Sequence, residues 1–449
     1  MEVRKFITTK DHFYIEEPMM PMGAPMYGAR TLTVETQPQD GEINGFGVAI
    51  TGSSCYLLNQ MEEKEREALL EDIYGEKGLH LSVGRISIGA SDYSPELYTY
   101  DDVPGDRELK YFSIEREKAY ILPMLRQIKQ KRPELFLLGS PWSPPAWMKT
   151  GEYICSGFMR EEFIDCYADY FLKYLDALEA EGITVDAVTP QNEAMTDQKG
   201  VSPACIWHPE IEAKFILALR KKLIQAGKNT RIWMLDHNYE YWKRVLWQLQ
   251  EYPQLLEACP EVAFHYYGGD ASHIHPLKEA FPELKFHFTE GGPRLYDHYD
   301  SDWCKWGMAM ARALNAGCET FIGWNLMLDE LGGPNVGPFF CGGLVTKDSR
   351  TGELSYRGQY RAFKHFSGLT QTGAKVHQSS LDQNISGLFG YPDNGAPVEC
   401  CAVTNPDGSH ILHLINPNAI KAQIQYFYGG KWWYIELLPD TLASVVFEK

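Results

Sequence analysis

The sequence predicts an α/β protein, a (β/α)8 barrel (TIM barrel) carrying a side-attached antiparallel β-sandwich. From residue 43 to 326, eight short β-branched or aromatic runs alternate with amphipathic segments, and no hairpin signal falls between them. Beyond residue 366 the helical period vanishes and two hairpin turns follow in succession. The 449 residues also suffice for a barrel of about 250 residues and a smaller second unit.

The eight runs are residues 43–49, 80–88, 135–140, 186–189, 231–235, 261–266, 285–289 and 319–324. The clearest helix lies at 161–181, where Phe163, Tyr167, Phe171, Leu175 and Leu178 recur at steps of three and four until Gly182 stops it. Segments 209–226 and 302–316 likewise end at Gly227 and Gly317. An open doubly wound sheet would carry a phosphate-cradling glycine turn after its first strand, and Gly45-Phe46-Gly47 lacks the third glycine. In the tail, runs 398–404 and 411–415 flank Asn405-Pro406-Asp407-Gly408, and runs 424–428 and 432–437 flank Gly429-Gly430. The tail is short for a free sandwich, so the alternating Thr31-Leu32-Thr33-Val34 is expected to add a strand. The expected division is residues 1–40 in the sandwich, 41–365 in the catalytic barrel and 366–449 in the sandwich again.

A hydrophobic share of 44% and a charged share of 23% exclude disordered and fibrous classes. Lys+Arg 42 against Asp+Glu 60 gives net −18, which argues against nucleic acid and anionic membranes and for a neutral partner. No basic leader precedes an apolar stretch at the start, and no run approaches the ~18–20 apolar residues of a spanning helix. A soluble cytoplasmic protein without stable membrane insertion is expected, with secretion the minority reading. Ten cysteines without a C-x-x-C pair point to reduced thiols rather than zinc or a disulfide framework.

In a barrel, residues at the C-terminal strand ends line the site. Here these are Asp92 after strand two, Trp142 and Trp147 after three, Asn192-Glu193 after four, Asp236 and His237 after five, Tyr266 and Tyr267 after six, Glu290 after seven, and Trp324-Asn325 after eight. Aromatic walls beside carboxylates and amides suit a sugar, whose ring faces are apolar and whose hydroxyls need paired donors and acceptors. Glycoside hydrolysis needs one protonated carboxyl and one carboxylate, about 5–5.5 Å apart in a retaining enzyme. Strands four and seven face each other across a barrel mouth, so Glu193 and Glu290 could meet. Either glutamate alone could equally cap a helix or pair with a cation.

Longer motifs sharpen this. Residues 139–150 (Gly-Ser-Pro-Trp-Ser-Pro-Pro-Ala-Trp-Met-Lys-Thr), Thr189-Pro190-Gln191-Asn192-Glu193, His265-Tyr266-Tyr267, Phe288-Thr289-Glu290-Gly291, and Gly323-Trp324-Asn325-Leu326 through Gly332-Gly333-Pro334-Asn335 stand in one order. In that order and context the chain closely resembles the glucosylceramidase-like branch of glycoside hydrolase family 30, from about Gly45 to the last strand. The resemblance implies a clan A retaining β-glycosidase, with Glu193 as acid/base and Glu290 as nucleophile. It further implies Asn192 as partner of the sugar 2-hydroxyl, Asp92 as acceptor from distal hydroxyls, and Trp142 and Trp324 as aromatic floor and wall. Arg85 would sit beneath the nucleophile, Tyr267 and His265 beside the two glutamates, and Asn335 near the entrance. No cofactor and no metal is implied.

Blander readings stand beside these. Trp142 could be core, Arg85 a structural ion pair, and His265 an orienting group rather than a proton carrier. Asp236-His237 invites a metal, but no H-x-H or H-E-x-x-H spacing supports one. Two departures from the family pattern are Ser91, where it often has Cys, and Gly291-Gly292-Pro293, which reshapes the loop on the aglycone side. The expected chemistry is double displacement, with the pKa of Glu193 raised by burial and the neighbouring carboxylate. A β-glucoside of the glucosylceramide kind is the first substrate expected. β-1,6-Glucan, β-xyloside and β-fucoside are alternatives, and a non-catalytic carbohydrate-binding barrel or a metal-dependent hydrolase are rivals from other classes.

Overall fold

The structure is a computed structural model describing residues 2–298, 301–382 and 398–448. Eight parallel strands close into a barrel in chain order: β1 (Gly45–Ala49), β2 (Val83–Ser87), β3 (Phe136–Ser140), β4 (Ala187–Val188), β5 (Arg231–Asn238), β6 (Glu261–His265), β7 (Lys285–Glu290) and β8 (Cys318–Asn325). Each falls on one of the eight expected runs. Both faces of these strands are buried. Val83, Leu138, Ala187, Trp233, Ala263 and Ile322 fill the barrel, while neighbours such as Leu137, Val188, Ile232 and Phe321 pack outward into the main core. That two-sided burial is why the strands read as near-continuous apolar runs.

The expected helices form at Ile164–Ala180, Pro209–Gln225 and Trp303–Ala316, the last capped by Gly317 in a left-handed conformation (φ 104°). Tyr167 and Phe171 of the first pack on Phe215 of the second at centroid distances of 5.2 and 5.3 Å. Gly47 has a packing role. A Cβ there would lie 1.9 Å from the Val83 carbonyl oxygen, so β1 can approach β2 only without a side chain.

The second unit is a ten-stranded sheet. Leu32, Leu412, Ile424, Ile435 and Val445, drawn from strands far apart in its order, share one core, so the sheet folds over itself as a sandwich. The N-terminal segment gives it four strands (Val3–Thr8, Ile15–Pro18, Pro21–Met22, Arg30–Pro38), more than the one expected, and Val3–Thr8 pairs with Thr441–Phe447. Both expected hairpins form, Glu399–Thr404 with His410–Asn416 and Ala422–Tyr428 with Lys431–Leu437. The sandwich docks on the barrel through buried His365, which bonds Thr8 (2.8 Å) and Ser444 (2.9 Å).

Two small β elements were not expected. Cys155–Phe158 pairs in parallel with Ala204–Ile206 across the loops after β3 and β4, and Met327–Asp329, Val345–Lys347 and Leu354–Tyr356 form a three-stranded sheet after β8. All ten cysteines are free thiols. Among the described residues no helix is long and apolar enough to cross a membrane.

Replacing Gly47 by alanine must push β1 off the Val83 backbone. We expect Gly47→Ala to destabilise the fold by about 1–3 kcal/mol, read as a lower urea midpoint.

Candidate active site

The site is built around one buried cation. Arg85, on β2 and 1% exposed, donates Nη1 to Glu290 Oε2 (2.5 Å), Nη2 to Asp236 Oδ2 and Asn192 Oδ1 (2.8 Å each), and Nε to Ser140 Oγ (3.2 Å). Its guanidinium lies 4.9 Å from the Trp142 ring and 5.5 Å from the Trp324 ring. Residues from the ends of β2, β3, β4, β5, β7 and β8 thus meet on a single side chain.

Asp236 is fully buried and accepts from Thr189 (2.7 Å), Thr289 (2.8 Å), Arg85 and His265. Burial alone would raise its pKa, but Arg85 and His265 outweigh that and hold it far below the carboxylate range. His265, also fully buried, bridges two acids, with Nε2 2.9 Å from Asp236 Oδ1 and Nδ1 3.0 Å from Glu193 Oε1. Burial opposes its charge, yet the surrounding carboxylates Glu290, Asp236 and Glu193 lift it to about 9, so at neutral pH it is an imidazolium donating both protons.

Glu193 and Glu290 lie within reach of each other's charge. Glu290 ends β7, takes Arg85 on Oε2 and receives the Tyr267 hydroxyl on Oε1 (3.0 Å). Glu193 follows β4 with a left-handed backbone (φ 51°), and its Oε2 accepts from Gln198 Nε2 (3.1 Å). Burial and the charge of Glu193 lift the Glu290 pKa against the pull of His265 and Arg85. On Glu193 burial pushes upward too, but the His265 hydrogen bond and the nearby histidines prevail and hold it low. This reverses the direction expected from sequence. The reason is that His265 lies against Glu193, a neighbour that position along the chain does not reveal. The two carboxyls titrate as a unit.

The walls are aromatic. Trp142 and Trp324 stack at 5.4 Å with planes 23° apart, and Tyr93 meets Trp324 edge-on at 5.9 Å. Asp92 keeps a buried Oδ1 without a hydrogen-bond partner among the described residues, and burial first, then Glu290 and Glu193, raises its pKa well above the usual range. The Asn192 oxygen is taken by Arg85, which leaves its amide nitrogen for the cavity.

Two strand-end residues and the loop residue Asn335 stand elsewhere. Trp147 bonds the Asp101 carbonyl and meets Phe163 edge-on in the main core. Tyr266 packs on Trp306. Asn335, expected to bind substrate, donates Nδ2 to the Gly332 and Phe339 carbonyls (3.0 and 3.3 Å) and accepts from Gly337. With both amide hydrogens spent inside its own loop, it shapes that loop, which Val336 then ties to the Asp92 carbonyl (2.9 Å). Sequence reasoning noted Asp236 only as a strand-end carboxylate and missed Gln198, which no strand-end rule reaches. The metal reading of His237 gains some geometry, since donor atoms of Glu193, His237 and His265 lie within 4.8 Å of one another. However, both nitrogens of His265 are engaged with carboxylates and carry protons, so the set fits a hydrogen-bond network better than a metal.

Comparison with known proteins agrees with this geometry. The model of the glycosyl hydrolase family 30 TIM-barrel domain matches residues 43–369. The chain is 30% identical over 422 residues to an endo-1,6-β-D-glucanase of Neurospora crassa, covering 89% of this chain and 85% of that one. It is 27% identical over 449 residues to putative glucosylceramidase 3 of Caenorhabditis elegans, covering 93% and 82%. Among solved structures, the endo-β1,6-glucanase BT3312 is similar at a TM-score of 0.87 and 29% identity over 100% of both chains. A family model that spans the whole barrel, on a chain whose strand ends assemble this cavity, gives a plain result: the chain belongs to glycosyl hydrolase family 30.

Proposed function

We propose that the protein is a retaining β-glycosidase of β-glucosidic linkages, with β-1,6-linked glucan as its substrate class. One observation carries the mechanism: two neighbouring carboxyls, Glu290 buried and Glu193 part-buried with its side chain 13% exposed, each held by its own cationic partner, Glu290 by Arg85 and Glu193 by His265. A binding-only barrel gains nothing from burying two coupled acids, which costs several kcal/mol per unpaired charge.

In this reading Glu290 attacks the anomeric carbon while Glu193 protonates the departing oxygen, and the roles of Glu193 reverse as water cleaves the glycosyl-enzyme. The reactive form has the proton on Glu193 and the charge on Glu290. It differs from the ligand-free preference by the location of one proton, and Arg85 and Tyr267 both donate to the Glu290 anion that must form. In the second step the His265 imidazolium favours ionised Glu193, the state that a general base requires. Asn192 meets the sugar 2-hydroxyl, Asp92 the distal hydroxyls, and the Trp142–Trp324 pair a ring face.

The 1,6-glucan reading rests on two relatives of that named activity at 29% and 30% identity. A glucosylceramide substrate would use the same catalytic step and differ only on the leaving-group side.

Glu290→Gln is expected to lose turnover of every β-glucoside, whereas Glu193→Ala should slow poor leaving groups by roughly 10²–10⁴-fold and activated aryl groups far less. Equal losses across leaving groups for Glu193→Ala would refute the acid/base role. Proton NMR of the first sugar released from a β-1,6-glucan should show the β-anomer; initial α-anomer would mean inversion. His265→Gln removes a cation that favours both ionised carboxyls, so both limbs of the pH profile of kcat/KM should move to higher pH. A shift to lower pH would contradict the assigned network.

A further inference from the structure

On the leaving-group side of Glu193 stands a buried side chain that the mechanism does not use. His237, 3% exposed, has no hydrogen-bond partner on either ring nitrogen among the described residues. A buried imidazole without partners carries an uncompensated desolvation cost, and native proteins rarely tolerate that without a purpose. The chain goes to some trouble to place it. At the end of β5 the register with β6 slips between Leu235 and His237, and both Leu235 (φ 75°) and Asp236 (φ 47°) take left-handed backbones that neither side chain favours. The slip lets consecutive residues both serve the site. Asp236 turns down to Arg85, while His237 stands with Nδ1 4.0 Å from Glu193 Oε1 and its ring 4.3 Å from that of Tyr241.

The topology says what His237 faces. Asp92, Trp142 and Trp324 come from the ends of β2, β3 and β8, so the sugar ring they hold lies on one half of the mouth, and a leaving group must depart over Glu193 toward the ends of β4, β5 and β6. On that half His237 and Gln198 stand beside Glu193. Gln198 lies in the loop after β4, whose strand Ala204–Ile206 is fastened to Cys155–Phe158 in the loop after β3 by Lys149, which donates its buried Nζ to the carbonyls of Ile154, Ser156 and Ala204 (2.8, 2.8 and 2.9 Å).

We propose that His237 is a substrate-binding residue for the leaving group, its free ring nitrogen pairing with a hydroxyl of a saccharide bound beside Glu193. The inference rests on the glycosidase reading above and deepens it by naming a hydroxyl-bearing sugar as the leaving group. Burial lowers the His237 pKa to about 4, so the ring is neutral at working pH and offers one donor and one acceptor, the pattern that a sugar hydroxyl matches.

The test compares kcat/KM on a β-1,6-linked glucose disaccharide with that on an n-alkyl β-glucoside, whose primary alcohol demands the same acid assistance from Glu193 but carries no further hydroxyl. His237→Phe should lower the ratio of the two at least tenfold, and His237→Asn, which keeps a donor and an acceptor, should recover much of it. A ratio unchanged in His237→Phe, or a deficit that His237→Asn does not relieve, overturns the inference. Because the alkyl substrate is measured on the same preparation and needs the same protonation by Glu193, poor folding or a disturbed acid lowers both rates and leaves the ratio intact. Failure of the glycosidase reading would look different: the unmodified protein would hydrolyse neither compound.

Discussion

Everything in the cavity depends on Arg85 being compensated where it lies. A guanidinium removed from water is tolerable only if its donors are spent on well-placed acceptors, and here Asp236 and Glu290 supply charge while Asn192 and Ser140 supply neutral oxygens. Asp236 cannot then be a proton donor, because Arg85 and His265 keep it ionised, so its work is to anchor. By holding His265 as a cation it sets the charge that Glu193 feels. One buried ion pair between β2 and β5 therefore reaches both glutamates, Glu290 directly and Glu193 through the imidazole.

The barrel deforms where this network needs it to. The register slips early in β7, between Phe286 and His287, and again near the C-terminal ends, between Leu235 and His237, between Phe264 and His265, and between Gly323 and Asn325. A regular strand sends alternate residues to opposite faces, so Asp236 and His237 could not both serve the site. A bulge removes that restriction at the cost of strained backbone. The positive φ angles of Leu235, Asp236 and Glu193 are that strain, held by side-chain hydrogen bonds at Asp236 and Glu193 and by the Leu235 backbone N–H donating to Glu212.

This explains which parts could be read from sequence. The eight strands were legible because two-sided burial leaves apolar runs, and the strand-end list named Glu193, Glu290, Trp142 and Trp324 because closure of a barrel brings such ends together whatever lies between them, whereas Arg85 came only from the family resemblance. Bulges have no sequence signature, so the separate duties of Asp236 and His237 were hidden. Gln198 was hidden because it reaches Glu193 from a short 3₁₀ turn in a loop, Gln198–Gly200, with two consecutive left-handed residues. The pKa order of the two glutamates was misread because sequence shows that carboxyls are near each other but not which one an imidazolium touches. The extra N-terminal strands were missed because Pro21–Met22 and Ile15–Pro18 are too short to show alternation.

The same geometry separates what must stay fixed from what can vary. The glycone side is rigid. Trp324 is stacked on Trp142, and Gly292 lies so close that a Cβ there would be 2.8 Å from the Trp324 Cβ, which explains the Gly291-Gly292-Pro293 departure as packing against the aromatic wall. The opposite half is built from loop excursions: the Lys149-fastened strands, Gln198, and the bulge at His237. Family members named for lipid and for glucan substrates can share the first half unchanged, since the attacked sugar and the transition-state charge are common to both. In the proposed reading, selectivity is written on the second half, where a neutral imidazole would favour a hydroxyl over an alkyl chain because only the hydroxyl repays the desolvation of its nitrogens.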